Sequence, residues 1–127
     1  MSNELELLSQ GVRELGLSSS PERLQALVRY LEALDLTNQT FNLTRIARSD
    51  YVTLHLLDSL TALPLVPAQH ALKIIDIGTG AGFPGVPFAA LLPESLITLL
   101  DSTAKKVRFA HDTAHACGIT NCRAIHG

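Results

Sequence analysis

Hydrophobic residues in the first seventy positions recur at helical spacing, and after residue 71 that rhythm gives way to short apolar runs. Leu5, Leu8, Val12 and Leu15 line one helix face, and Gly16 follows where a helix commonly ends in a left-handed turn. Ser20 is a good N-cap, and Pro21 suits the first helical position behind it. Leu24, Leu27, Val28, Leu31 and Leu34 form the next stripe, which the polar run 37–40 ends. A third helix is predicted from near Ser49 and Asp50, with Val52, Leu56, Leu57 and Leu60 on one face, until Pro64 and Pro67 break the chain.

Residues 72–77 form a short apolar run that reads as a buried parallel strand. A glycine-rich turn follows, then a helix predicted over 84–92 and a loop at 93–95. A second strand is predicted over 96–100, ending at Asp101. Ser102 is placed to cap a helix through Val107, Phe109 and Ala110 to about Cys117, with Gly118 as its stop. A third strand begins at Cys122. The order β-α-β-α-β predicts a parallel sheet with right-handed crossovers. The chain divides into a helical extension, 1–70, and the first three strands of an α/β sheet, 71–127. There are no repeats and no low-complexity stretch.

With 127 residues there is room for one domain. A hydrophobic fraction of 46% against 17% charged residues excludes intrinsic disorder. The net charge of −2 supplies no overall basic field, so any nucleic-acid contact rests on a local patch. The densest basic group is Lys105, Lys106 and Arg108, which reads as a solvated helix face or as a phosphate-contacting patch. Cys117 and Cys122 form no CxxC and no zinc-like pair, and are expected to be reduced thiols in a cytoplasmic protein. No apolar run reaches the roughly 18 residues of a membrane span, and the acidic start lacks the basic region of a signal peptide.

The candidate chemistry lies in 76–85, read DIGTGAGFPG. Backbone can approach a ligand closely only where Cβ atoms are absent, and tight turns often need positive φ. Gly78, Gly80 and Gly82 supply both at the end of a strand, and the next helix is expected to aim its first N–H groups at a ligand there. Asp101, 19 residues beyond Gly82, ends the second strand, where a carboxylate can accept the hydroxyl protons of a ribose. Residues 80–85 also fit the G-x-G-x-x-G dinucleotide fingerprint. Asp76 favours another ligand: a carboxylate before the first glycine helps to hold a cationic amino-acid group and repels a pyrophosphate. The expected ligand is S-adenosylmethionine. A dinucleotide, as in an oxidoreductase domain, and a purely structural turn stay open.

The segment 76–87, DIGTGAGFPGVP, closely resembles the signature of the glucose-inhibited division protein B family, bacterial methyltransferases acting on guanine N7 of small-subunit ribosomal RNA. Upstream, FNLT at 41–44 and HLLDSL at 55–60 are similar to that family's N-terminal motifs. Downstream, LLDS at 99–102 with KKVRF at 105–109 is similar to its second-strand segment. Thr37 stands where the family often has tryptophan, and Leu54 where it often has a basic residue. The resemblance implies a Rossmann-like class I methyltransferase sheet, here incomplete at its carboxyl end. It implies that Gly78 and Phe83 touch the cofactor, that Gly80 shapes the turn, and that Asp101, with Ser102 and Thr103 behind it, meets the ribose and adenosine side. Ribosomal RNA or the small subunit is the implied partner. Attack by N7 needs no general base, because its lone pair lies outside the base-pairing edge, so no catalytic residue is assigned and alignment dominates. A fragment with three strands is expected to be inactive by itself and to self-associate through an open sheet edge at its third strand. A non-catalytic module binding an adenosine-containing ligand is the rival from another class.

Two further constellations invite chemistry. His55, Asp58 and Ser59 share one helix, but neighbours on a helix seldom converge as a hydrolase triad, and a local hydrogen-bonded pair is expected instead. His111 and His115 are four apart without further evident ligands, so no metal is expected.

Overall fold

The computed structural model of the chain describes residues 2–67 and 71–127. Helix α1, Asn3–Glu14, starts at Ser2, whose hydroxyl accepts from the Leu5 N–H at 3.1 Å. Helix α2, Pro21–Asn38, starts at the expected cap, Ser20, which accepts from the Arg23 N–H at 3.3 Å. Its leucine stripe is buried, and Tyr30, an aromatic among those leucines, is completely buried with it.

The third helix forms in three registers. A 3-10 turn at Arg48–Asp50 leads into a π-helical stretch, Tyr51–Leu57, and a last α-helical turn, α3, at Asp58–Leu60. The buried positions are Tyr51, Val52, His55, Leu56 and Leu60. These buried positions lie on one side of the helix, facing the other helices. Leu57, expected on the buried face, is only partly covered.

Strands β1 (Lys73–Ile77), β2 (Leu96–Asp101) and β3 (Cys122–His126) are parallel, in spatial order β1-β2-β3. Helices α4 (Gly85–Leu91) and α5 (Ala104–Ala116) make the crossovers. Right-handed crossovers stepping in one direction put both helices on one face. Ile74, Asp76, Ile97, Leu99, Cys122 and Ala124 line that face by strand alternation. Ile97 and Leu99 are fully buried there. Helix α2 packs on α4 and α5, so helices and sheet share one hydrophobic core. On the opposite face Ile75, Ile77 and Ile125 are 53, 74 and 44% exposed.

One expectation is corrected. The residue before α5 is Thr103, not Ser102, and its side chain makes no capping bond; the Asp101 carboxylate accepts the Thr103 N–H instead, at 2.8 Å. β3 lies at a sheet edge, as expected, and β1 lies at the other. In a doubly wound sheet of order 3-2-1-4 the chain returns to add its next strand beside β1, so that edge marks the topological switch point where ligands bind.

Candidate functional site

The turn after β1 is braced from both sides by carboxylates. Asp76 Oδ2 accepts from Thr79 Oγ1 at 2.6 Å and from the Gly85 N–H at 2.9 Å, closing the turn on itself. Asp101 reaches across from β2, its Oδ2 accepting from the Gly80 N–H at 2.8 Å. The Leu100 carbonyl accepts from the N–H groups of Gly78 and Thr79 at 2.8 and 3.0 Å, so the end of β2 fixes the start of the turn.

The carboxylates differ electrostatically. Burial pushes the Asp76 carboxyl above its ordinary value, against the hydrogen bonds from Thr79 and Gly85. The Thr103 N–H, followed by the Gly80 N–H and the Lys106 charge, holds Asp101 below its ordinary value despite some desolvation. Asp101 is the secure anion, and each of its oxygens keeps a lone pair for a further donor.

The glycines divide by environment. Gly78 and Gly80 have φ of +74° and +58°, and a Cβ on either would meet nothing within 4 Å. Gly82, at φ +106°, is packed: a Cβ would lie 2.3 Å from the Tyr30 hydroxyl and 2.9 Å from a Val86 methyl. A Cβ on Gly85 would strike Leu99 at 2.4 Å. The outer glycines thus leave open space beside bare backbone, and the inner ones let the turn settle on the core.

The expectation that the following helix offers its first N–H groups to a ligand is overturned. The Gly85 N–H is taken by Asp76 and the Val86 N–H by the Gly82 carbonyl at 2.8 Å, while Pro84 and Pro87 carry none. A pyrophosphate would meet two carboxylates here and no free helix donors.

Asp76, Gly78, Gly80 and Asp101 therefore converge on one turn. Thr103 adjoins them through its N–H, and Ser102 is exposed beside it, its carbonyl 2.9 Å from His126 Nε2. Phe83 is half-buried and faces the helical segment. Its ring stacks on His55 with centroids 4.4 Å apart and planes 13° apart, and Tyr30 meets it edge-on at 5.9 Å. The Phe83–Pro84 peptide bond is cis.

Sequence reasoning missed Thr79, Thr44 and Tyr30. The Tyr30 hydroxyl donates to the Ala81 carbonyl at 2.5 Å, tying α2 to the turn across 51 residues. Its signal was available: Tyr30 stands three residues beyond Leu27, on the apolar stripe.

The His55, Asp58 and Ser59 group forms no triad. Ser59 Oγ donates to the His55 carbonyl, His55 Nε2 lies 2.8 Å from Thr44 Oγ1, and Asp58 is exposed. His115 Nε2 bonds the Cys122 carbonyl at 2.9 Å, and His111 Nδ1 bonds Asp112 at the same distance. Lys105 and Arg108 are exposed, and Lys105 Nζ lies 5.7 Å from the centre of the Phe41 ring. Together with Thr37 they line an open groove of about 370 Å³. A larger cavity, about 610 Å³, is lined by α1 and the start of α2, with no residue of the glycine turn.

Three parallel strands in sequential order, a glycine turn after the first and an anchoring acid at the end of the second define one half of a Rossmann-like, methyltransferase-type sheet preceded by helices. The chain belongs to the family described as rRNA small subunit methyltransferase G, which matches residues 23–127. It is 41% identical to the ribosomal RNA small subunit methyltransferase G of Laribacter hongkongensis over 97% of its length, and 43% identical to that of Coxiella burnetii over 94%. The protein of the same name from Pseudomonas syringae is 41% identical over 94% of this chain. The chain spans 55–58% of the length of these curated relatives.

Proposed function

We propose that the protein carrying this chain transfers the methyl group of S-adenosylmethionine to guanine N7 of small-subunit ribosomal RNA in the cytoplasm, and that these residues form its helical segment and the cofactor-holding half of its sheet. The observation that carries this reading is the open space beside Gly78 and Gly80, set between Asp76 and Asp101. The residues fit the cofactor: a side chain at either glycine would project into that space, and the two acids suit a ligand bearing a cationic amino-acid end and a ribose. Asp101 would accept the ribose hydroxyls, with Ser102 and Thr103 on the adenosine side. Asp76 Oδ1, which makes no hydrogen bond among the described residues, would face the amino group. Phe83 would supply apolar contact.

The cofactor supplies an electrophilic methyl group, and the guanine supplies its own lone pair. The task left to these residues is to hold the ligand, align it and exclude water. Among the described residues no helix is long and apolar enough to cross a membrane.

Calorimetry on the full-length protein is expected to show binding of S-adenosylhomocysteine and not of NAD; tighter NAD binding would favour the dinucleotide reading. Methyl transfer to small ribosomal subunits separates the enzyme from a non-catalytic adenosine-binding module, which would bind and not turn over.

A further inference from the structure

We propose that His55 is a positioning residue of the glycine turn: stacked on Phe83 and hydrogen-bonded to Thr44, it sets the plane of the ring that the turn presents to its ligand. The proposal rests on the reading of the turn as an S-adenosylmethionine cradle and extends it into the helical segment.

His55 is 9% exposed, and its ring is constrained on three sides. Phe83 lies almost parallel to it at 4.4 Å, and Tyr51 is tilted at 65° with centroids 5.2 Å apart. Thr44 Oγ1 lies 2.8 Å from Nε2 and also accepts the Ile46 N–H at 3.2 Å, which fixes the hydroxyl in turn. Desolvation lowers the imidazole's affinity for a proton, which favours the neutral ring. A leucine would fill this space with no polar group to desolvate. An imidazole adds a flat face and a directional bond, the two properties that fix the orientation of a neighbouring ring. With His55 on one face and Tyr30 at its edge, Phe83 has only its remaining surface to offer. Phe83 follows Gly82, and its N–H bonds the Thr79 carbonyl at 3.1 Å, so the residue that carries the ring is itself part of the turn.

The test compares the full-length protein with His55→Leu, His55→Phe and Thr44→Val, by S-adenosylhomocysteine affinity, thermal midpoint and amide NMR shifts of Gly78, Gly80 and Gly82. His55→Leu is expected to weaken binding about tenfold, equivalent to about 1.4 kcal/mol. His55→Phe, which keeps the stack without the Thr44 bond, should recover much of that loss although its thermal midpoint falls as far, and Thr44→Val, which removes only the bond, should weaken binding by less than His55→Leu. The glycine amides should move in His55→Leu and stay near their native positions in His55→Phe. In a Phe83→Leu background the effect of His55→Leu on affinity should vanish, since the two act as one unit. Native affinity in His55→Leu, equal losses in the Leu and Phe variants, or additive effects with Phe83→Leu would overturn the proposal. If the unmodified protein binds no S-adenosylhomocysteine, the cradle reading fails, and the amide shifts alone then decide the positioning role: movement in His55→Leu upholds it, and its absence ends it.

Discussion

Between Gly78 and Gly82 a single methyl group separates two kinds of glycine. Alanine at Gly78 would carry only the strain of a left-handed backbone, about 1–2 kcal/mol, and would put its methyl in open space. Alanine at Gly82 would add overlap with the Tyr30 hydroxyl, for a total of about 3 kcal/mol or more. Urea titrations should therefore show Gly78→Ala folded and weak in binding S-adenosylhomocysteine, and Gly82→Ala chiefly unstable. Asp101 adds a pH signature. Its carboxyl is held below the ordinary value of 3.8, so its stabilisation is present above that value and is lost as pH falls through the folded one. The stability gap between native protein and Asp101→Asn should narrow as the pH falls below 3.8. Asp76 has the opposite sign: its pKa is raised by burial, so its contribution is lost as pH rises through the folded value. Asp101→Ala should also weaken adenosine binding, by about 1.5–3 kcal/mol. The sequence marked these positions because glycine and aspartate are chemically conspicuous. It could not show which glycine faces solvent and which faces Tyr30, because that depends on a helix fifty residues away.

Caps, stripes and stop glycines were legible because they depend on residues within one turn of each other. Ser20 caps α2, and Gly16 and Gly118 adopt the left-handed conformation expected of helix stops. The π-helical stretch was not read, because a window set to the α period merges it with an ordinary helix. Local preference points to Ser102 as the cap of α5, but the helix starts one residue later, and Asp101 at the end of β2 holds the Thr103 N–H in place. On α5, Lys105 and Arg108 project outward beside Phe41, while Lys106 is half-buried near Asp101. If these cations touch RNA phosphates, neutralising all three should reduce the slope of log affinity against log salt by about 2, the value for three contacts on single-stranded RNA. Cofactor affinity should barely change when Lys105 and Arg108 alone are neutralised, because the Lys106 charge then stays beside Asp101. An unaltered slope in binding assays on ribosomal RNA fragments would leave α5 as a solvated face.

Across the whole molecule, the two faces of the sheet are unequal: helices cover one, while Ile75, Ile77 and Ile125 stand exposed on the other. A bare β1 edge beside exposed isoleucines favours pairing with another copy. Sedimentation of the 127-residue chain by itself should show dimers or larger species, and Ile77→Lys should shift it towards monomer. A monomer at high concentration would argue against this, and robust methyl transfer by that monomer would show the site to be more compact than a three-strand half-sheet suggests. The bond from Tyr30 to Ala81 also bears on the order of assembly during synthesis. Fifty-one residues separate its partners, so α2 leaves the ribosome long before the turn it supports exists. Until then the Tyr30 hydroxyl lacks its partner and the leucines around it lack α4 and α5 to pack on, so the early helices would wait as a loosely held bundle. Within these residues each strand joins the edge its predecessor made, so this part of the nascent chain would lock from β1 to β3 and only afterwards tighten its beginning.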